Sequence, residues 1–73
     1  MFSGINLVNN IDNLSEEIGL TRKEFAEQMS INPSTIATWK AKNILPPVDT
    51  IFNIARRFEV SLEWLMSDNT NQQ

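Results

Sequence analysis

Cysteine, histidine and tyrosine are all missing from the 73 residues. Without thiols there is no disulfide framework and no thiolate metal site, and without imidazole a zinc site is not expected either. The interior must therefore hold by packing alone. No apolar run approaches the length that spans a membrane, and the opening MFSGINLVNN lacks the basic flank of a secretory signal. A cytoplasmic protein with no membrane partner is the reading. Chemistry would have to come from carboxylates, lysines or hydroxyls, and no recognisable motif holds a pair of these together. No catalytic residue and no cofactor are assigned, and an enzyme is not expected.

What is present is one small domain's worth of chain, with a net charge of −3 and a pI near 4.6. Taken whole, that balance argues against a nucleic-acid partner, since such domains are usually basic. The distribution says otherwise. Residues 1–20 carry Asp12, Glu16 and Glu17, and residues 44–73 carry Asp49, Glu59, Glu63 and Asp68 against Arg56 and Arg57. Residues 21–43 carry Arg22, Lys23, Lys40 and Lys42 against Glu24 and Glu27, a local excess of positive charge. A phosphate backbone responds to the facing surface, because charge farther away is screened beyond about 8 to 10 Å. Weak non-specific binding and a modest salt slope are expected.

That central stretch, TRKEFAEQMSINPSTIATWKAKN, holds two helix signals with a tight joint. Thr21 and Glu24 have capping-box spacing, and Leu20, Phe25, Ala26 and Met29 form one apolar face. Asn32 is a side-chain cap, with Pro33 at the first helical position, where a missing N–H costs nothing. Ile36 and Trp39 point this second helix inward. Only Ser30 and Ile31 separate Met29 from Asn32, so the helices must cross sharply, and Ala26 permits close approach there. Ser34, Ala37, Thr38 and Ala41 occupy the reverse face, small or hydroxylated as contact with a rigid surface requires. Arg22 and Lys23 stand at a positive helix start, where cations cost a few tenths of a kcal/mol, so a docked phosphate would explain them. On dipole grounds Arg22→Glu is expected to leave the melting temperature unchanged or raise it while weakening DNA binding.

The run from 20 to 65 resembles the DNA-binding domain of the lambda-repressor-like (XRE, Cro/CI) family, and TWKAKNILPP followed by VSLEWL resembles its phage-repressor branch. The resemblance implies an all-α, five-helix bundle with a helix-turn-helix at helices 2 and 3 and the third helix in the major groove. Two departures stand out. Ser30 occupies a turn position where the family usually has glycine, so it must accept an unfavourable backbone conformation or the turn must differ. Arg22 stands where many members carry glutamine.

Along the rest of the chain, Leu7, Ile11, Leu14 and Ile18 mark a first helix over 5–18, closed by Gly19 in a left-handed conformation. Asn9, Asn10 and Asn13 weaken its propensity, so tertiary contacts must hold it. Residues 44–47 form a proline-stiffened linker. A fourth helix over 48–58 suits its dipole with Asp49 at the start and Arg56 and Arg57 at the end, and takes Ile51, Phe52, Ile54, Ala55 and Phe58 as apolar contacts. A fifth helix is capped by Ser61 and runs through Met66. The domain is assigned to 1–67 and a disordered polar tail or linker start to 68–73.

The function expected is sequence-specific binding of double-stranded DNA by a prokaryotic or phage transcriptional regulator, a repressor that occupies its operator. Base readout is assigned to Pro33, Ser34, Ala37 and Thr38, through hydroxyls at base edges and methyl contacts to thymine. Phosphate contacts are assigned to Arg22, Lys23, Asn32, Thr35, Lys40, Lys42 and Asn43. A homodimer on two half-sites is the expected working unit, and phage repressors of this type commonly continue into a C-terminal oligomerisation domain. The competing reading is a protein-binding helix-turn-helix module, such as an antitoxin or adaptor, which the acidic balance and uncharged reading helix keep open.

Overall fold

The computed structural model describes residues 2–69, which form five helices with no strand among them: α1 (Gly4–Glu17), α2 (Arg22–Gln28), α3 (Pro33–Ala41), α4 (Val48–Phe58) and α5 (Leu62–Met66). Residues 70–73 of the polar tail lie outside the described residues.

Local chemistry fixes where the helices start. Ser3 Oγ accepts from the Asn6 N–H and caps α1, and Ser61 Oγ accepts from the Trp64 N–H and caps α5. At α2 both arms of the capping box form: the Glu24 N–H donates to Thr21 Oγ1 at 3.1 Å and the Thr21 N–H to Glu24 Oε1 at 2.9 Å. Asn32 Oδ1 accepts the Ser34 N–H at 2.9 Å, one residue before Pro33 opens α3.

The ends share one device. After α1, α2, α3 and α4, a single residue turns left-handed: Gly19 (φ +79°), Ser30 (+58°), Asn43 (+53°) and Glu59 (+58°). The next amide then reaches back across the turn, from Leu20 to Ser15 O, Ile31 to Ala26 O, Ile44 to Trp39 O and Val60 to Ala55 O. This is the Schellman arrangement, and the apolar residue after each turn completes it. Of the four turns, only the one at Gly19 has the residue that adopts this conformation freely. Ser30 therefore takes the unfavourable backbone conformation, and the helix-turn-helix joint keeps its form.

The core collects Leu7, Val8 and Ile11 from α1, Phe25 and Ala26 from α2, Ile36 and Trp39 from α3, Ile51, Ile54 and Ala55 from α4, and Leu65 from α5. α1 packs on α2, α3 and α5, and a Phe25–Phe58 ring stack at 5.2 Å ties α2 to α4. Ala26 is fully buried at the α2–α3 crossing. Two apolar assignments are corrected. Ile18 is 49% exposed because α1 stops at Glu17 and Ile18 caps it outside the helical stripe. Phe52 is also 49% exposed, on the outer face of α4 under the Arg56 guanidinium.

Tertiary contacts do hold α1. Asn10 is buried, and its Nδ2 donates to Leu65 O at 2.7 Å and Ser67 O at 2.8 Å, satisfying carbonyls that a five-residue helix leaves open. At the other end, Gly4 lies so close to the last turn of α3 that a Cβ would strike the carbonyl oxygens of Ile44 and Trp39. The Ile5 N–H donates to Asn43 Oδ1 at 3.2 Å across the same seam. α1 thus fixes the C-terminal end of α3 and, through α5, the far side of the bundle.

Candidate nucleic-acid interface

With Ile36 and Trp39 buried, the opposite face of α3 is set by helical geometry. Pro33, Ser34, Ala37, Thr38 and Ala41 are all exposed, as are Asn32, Thr35, Lys40, Lys42 and Asn43 around them. Lys23 is exposed in the first turn of α2, next to the half-buried Arg22. The outer surface is thus small and uncharged at its centre, with lysines at α2's start and α3's end.

The hydroxyls on that surface are oriented. Thr38 Oγ1 donates its proton to Ser34 O at 2.9 Å, and Ser34 Oγ donates to Asn32 Oδ1 at 2.7 Å. Both acceptors lack a proton to give back, so each hydroxyl spends its hydrogen within the chain and offers lone pairs outward. Asn32 Oδ1 receives both the Ser34 amide and the Ser34 hydroxyl, which leaves its Nδ2 group as the donor at the helix start. Donors at the edge and acceptors at the centre make a polar pattern that the sequence leaves undefined.

Arg22 has a partner that neither a phosphate role nor a solvated charge anticipates. Its Nε and Nη2 donate to the two carboxylate oxygens of Asp12 at 3.0 and 2.7 Å, with the side chains 33% and 34% exposed. The hydrogen bond with Asp12 raises the Arg22 pKa, burial opposes that, and the carboxylate charge adds to it. The Asp12 contact argues against the dipole-based expectation for the stability of Arg22→Glu, because that change would set two carboxylates face to face. The pair borders an open depression of about 570 Å³ lined also by Glu16, Gly19, Leu20 and Thr21. Two carboxylates against one paired guanidinium leave it no positive field for an anion.

Asn43 also has an internal duty, since its side-chain oxygen holds the start of α1. Asn43 stays exposed in the left-handed turn after α3, so the oxygen end of its amide is engaged while the residue remains on the surface. Arg57 is engaged as well, donating to Gln28 Oε1 at 3.0 Å and lying over Phe58. Among the described residues, no group of three or more acidic side chains converges on a metal site, and no helix is long and apolar enough to cross a membrane.

Comparison with known proteins agrees with this fold. A family model described as the bacteriophage CI repressor helix-turn-helix domain matches residues 9–72. The solution structure of the SOS-response transcriptional repressor LexA from Eubacterium rectale superposes with a TM-score of 0.73 at 18% identity, covering 96% of this chain and 74% of that one. At that identity the likeness speaks for the fold alone. No curated protein matches the sequence.

Proposed function

We propose, from the premise that this chain belongs to the bacteriophage CI repressor helix-turn-helix domain family, that it is a repressor's operator-reading domain and lays the outer face of α3 in the major groove of double-stranded DNA. The observation that carries this is the face itself, where Pro33, Ser34, Ala37 and Thr38 stand exposed and uncharged between Lys23 and the Lys40–Lys42 end. Ser34 and Thr38, with lone pairs outward, accept from the exocyclic amino groups of adenine or cytosine, while Pro33 and Ala37 lie against thymine methyls. Lys23, Lys40 and Lys42 meet phosphates, with Asn32, Thr35 and the free amide of Asn43, and Arg22 joins them when Asp12 releases it.

The working unit is a homodimer on two half-sites about one helical turn apart, acting in the cytoplasm, and a longer protein would add its own oligomerisation domain. Site selection from a random duplex library, followed by titration at two salt concentrations, tests the reading. A preferred sequence, salt-dependent affinity and loss of preference at one base position in Thr38→Val support it. Absence of salt-dependent duplex binding would overturn it in favour of an adaptor that grips protein.

A further inference from the structure

The two hydroxyls on the outer face of α3 both give away their protons, but to different kinds of acceptor. The Ser34 N–H can only donate, so the Asn32 atom that it meets at 2.9 Å is the amide oxygen. That same oxygen lies 2.7 Å from Ser34 Oγ and can only accept, so the proton in this second bond belongs to Ser34. Thr38 Oγ1 gives its proton to the Ser34 carbonyl at 2.9 Å. One hydroxyl is thus set by a side chain and the other by the backbone.

The position of Ser34 explains the difference. It is the second residue of α3, and the carbonyl four positions back belongs to Ser30, in the left-handed turn outside the helix. Asn32 takes the proton instead. A serine with a free proton serves as donor or acceptor and can meet any base edge. With its proton held by Asn32 it can meet only donors, and in the major groove these are the amino groups of adenine and cytosine. Opposite guanine O6 or N7, or thymine O4, it would set lone pair against lone pair.

We propose that Asn32 is a positioning residue that determines base specificity: by holding the Ser34 proton it confines Ser34 to adenine or cytosine, without itself touching the base. Thr38 carries the same restriction through the backbone, where no side-chain change removes it. The inference rests on the operator reading above and adds which side chain decides the base. Both bonds fall on the Asn32 oxygen, so its Nδ2 group stays available to a phosphate.

The test uses the duplex that the parent chain selects from a random library. Ser34→Ala and Thr38→Val locate the base pairs that the two hydroxyls face, as the positions where preference is lost. Competition titrations with all four bases at those positions are then run on the parent, Asn32→Gly and Asn32→Asp. The parent is expected to favour adenine or cytosine over guanine or thymine by at least about fivefold at both positions. Asn32→Gly frees the Ser34 proton at a cap position that glycine tolerates. It is expected to reduce the preference opposite Ser34 to within about twofold and to leave the one opposite Thr38 unchanged. Asn32→Asp still accepts the proton, so it keeps the parent ranking at both positions, although its charge lowers affinity for every duplex.

Rankings compare bases within one variant, so a capping role alone would shift all four affinities together and not their order. Guanine or thymine preferred opposite Ser34, or a preference there that Asn32→Gly leaves intact, would overturn the proposal. So would an Asn32→Asp variant that loses the preference, or a Ser34→Ala variant that keeps the parent's preference at every position. Selection of no preferred duplex would sink the operator reading itself, and this inference with it.

Discussion

Asp12 on α1 holds the guanidinium of Arg22 at the start of α2 with two hydrogen bonds, at 3.0 and 2.7 Å. The carboxylate relieves a cation that the α2 dipole disfavours and competes with any phosphate for it. The stability of α2's start and the charge offered to DNA are therefore opposed through one side chain.

Asp12→Asn is expected to strengthen non-specific duplex binding about threefold to tenfold and to steepen the salt slope by roughly 0.9, one more phosphate contact. With both groups a third exposed, the cost in stability is small, about 0.5 kcal/mol. Arg22→Glu is expected to lower the melting temperature as well as the affinity. Fluorescence titrations and melts check both, and an Asp12→Asn variant with unchanged affinity and slope would show that Arg22 does not reach phosphate.

Gly4→Ala drives a methyl into the backbone of Ile44 and Trp39, where neither carbonyl can move without breaking the turn that ends α3. A loss of about 3 kcal/mol is expected in urea unfolding. Gly19→Ala is the control: φ is +79° but the space around it is open, so only backbone strain of about 1 kcal/mol applies. Equal losses at the two positions would mean that the seam between α1 and α3 is looser than described.

Glu59→Gly and Ser30→Gly relieve left-handed backbone at turns closed by the same amide bonds, and each is expected to stabilise by up to about 1 kcal/mol. Asn43→Gly should gain nothing net, because it removes the acceptor for the Ile5 N–H. Parallel urea titrations of the three variants decide whether that cap contributes.

Asn10→Ala removes the buried donor to Leu65 O and leaves Ser67 O with Asn69 Nδ2, and is expected to cost about 2 kcal/mol. Asn10→Asp should cost more at neutral pH, since a carboxylate there faces two carbonyl oxygens and can donate to neither. Amide exchange would locate the damage in α5, and a loss spread evenly over the chain would argue against the contact as its source.

The Glu24 carboxyl is held below its usual range, first by the Thr21 amide and then by the Thr21 side chain. A carboxylate with a depressed folded pKa contributes stability that is present above its unfolded value, about 4.3, and is lost as pH falls through the folded value. Glu24→Ala should therefore melt below the parent at pH 7, with the gap closing toward pH 3. A gap constant across that range would mean that the capping box contributes nothing through its charge.

The starts of α2, α3 and α5, the buried positions of Ile36 and Trp39, and the left-handed close at Gly19 are all legible in the sequence, because caps, prolines and helical periodicity act over three or four residues. The same holds for the outer face of α3, which follows once its inner face is known. What lay beyond that range was decided only by folding. Asn10 reads as a poor helix former until Leu65 and Ser67 are brought to it, Asn43 shows no tie to α1 until Ile5 arrives, and Arg22 reads as a loose cation until Asp12 closes on it. Phe52 fits the apolar list of α4 until the bundle shows which side of that helix is left outside. Local sequence fixes a residue's helix and phase, whereas its partner depends on how five helices share one core, a cooperative outcome that no single segment encodes.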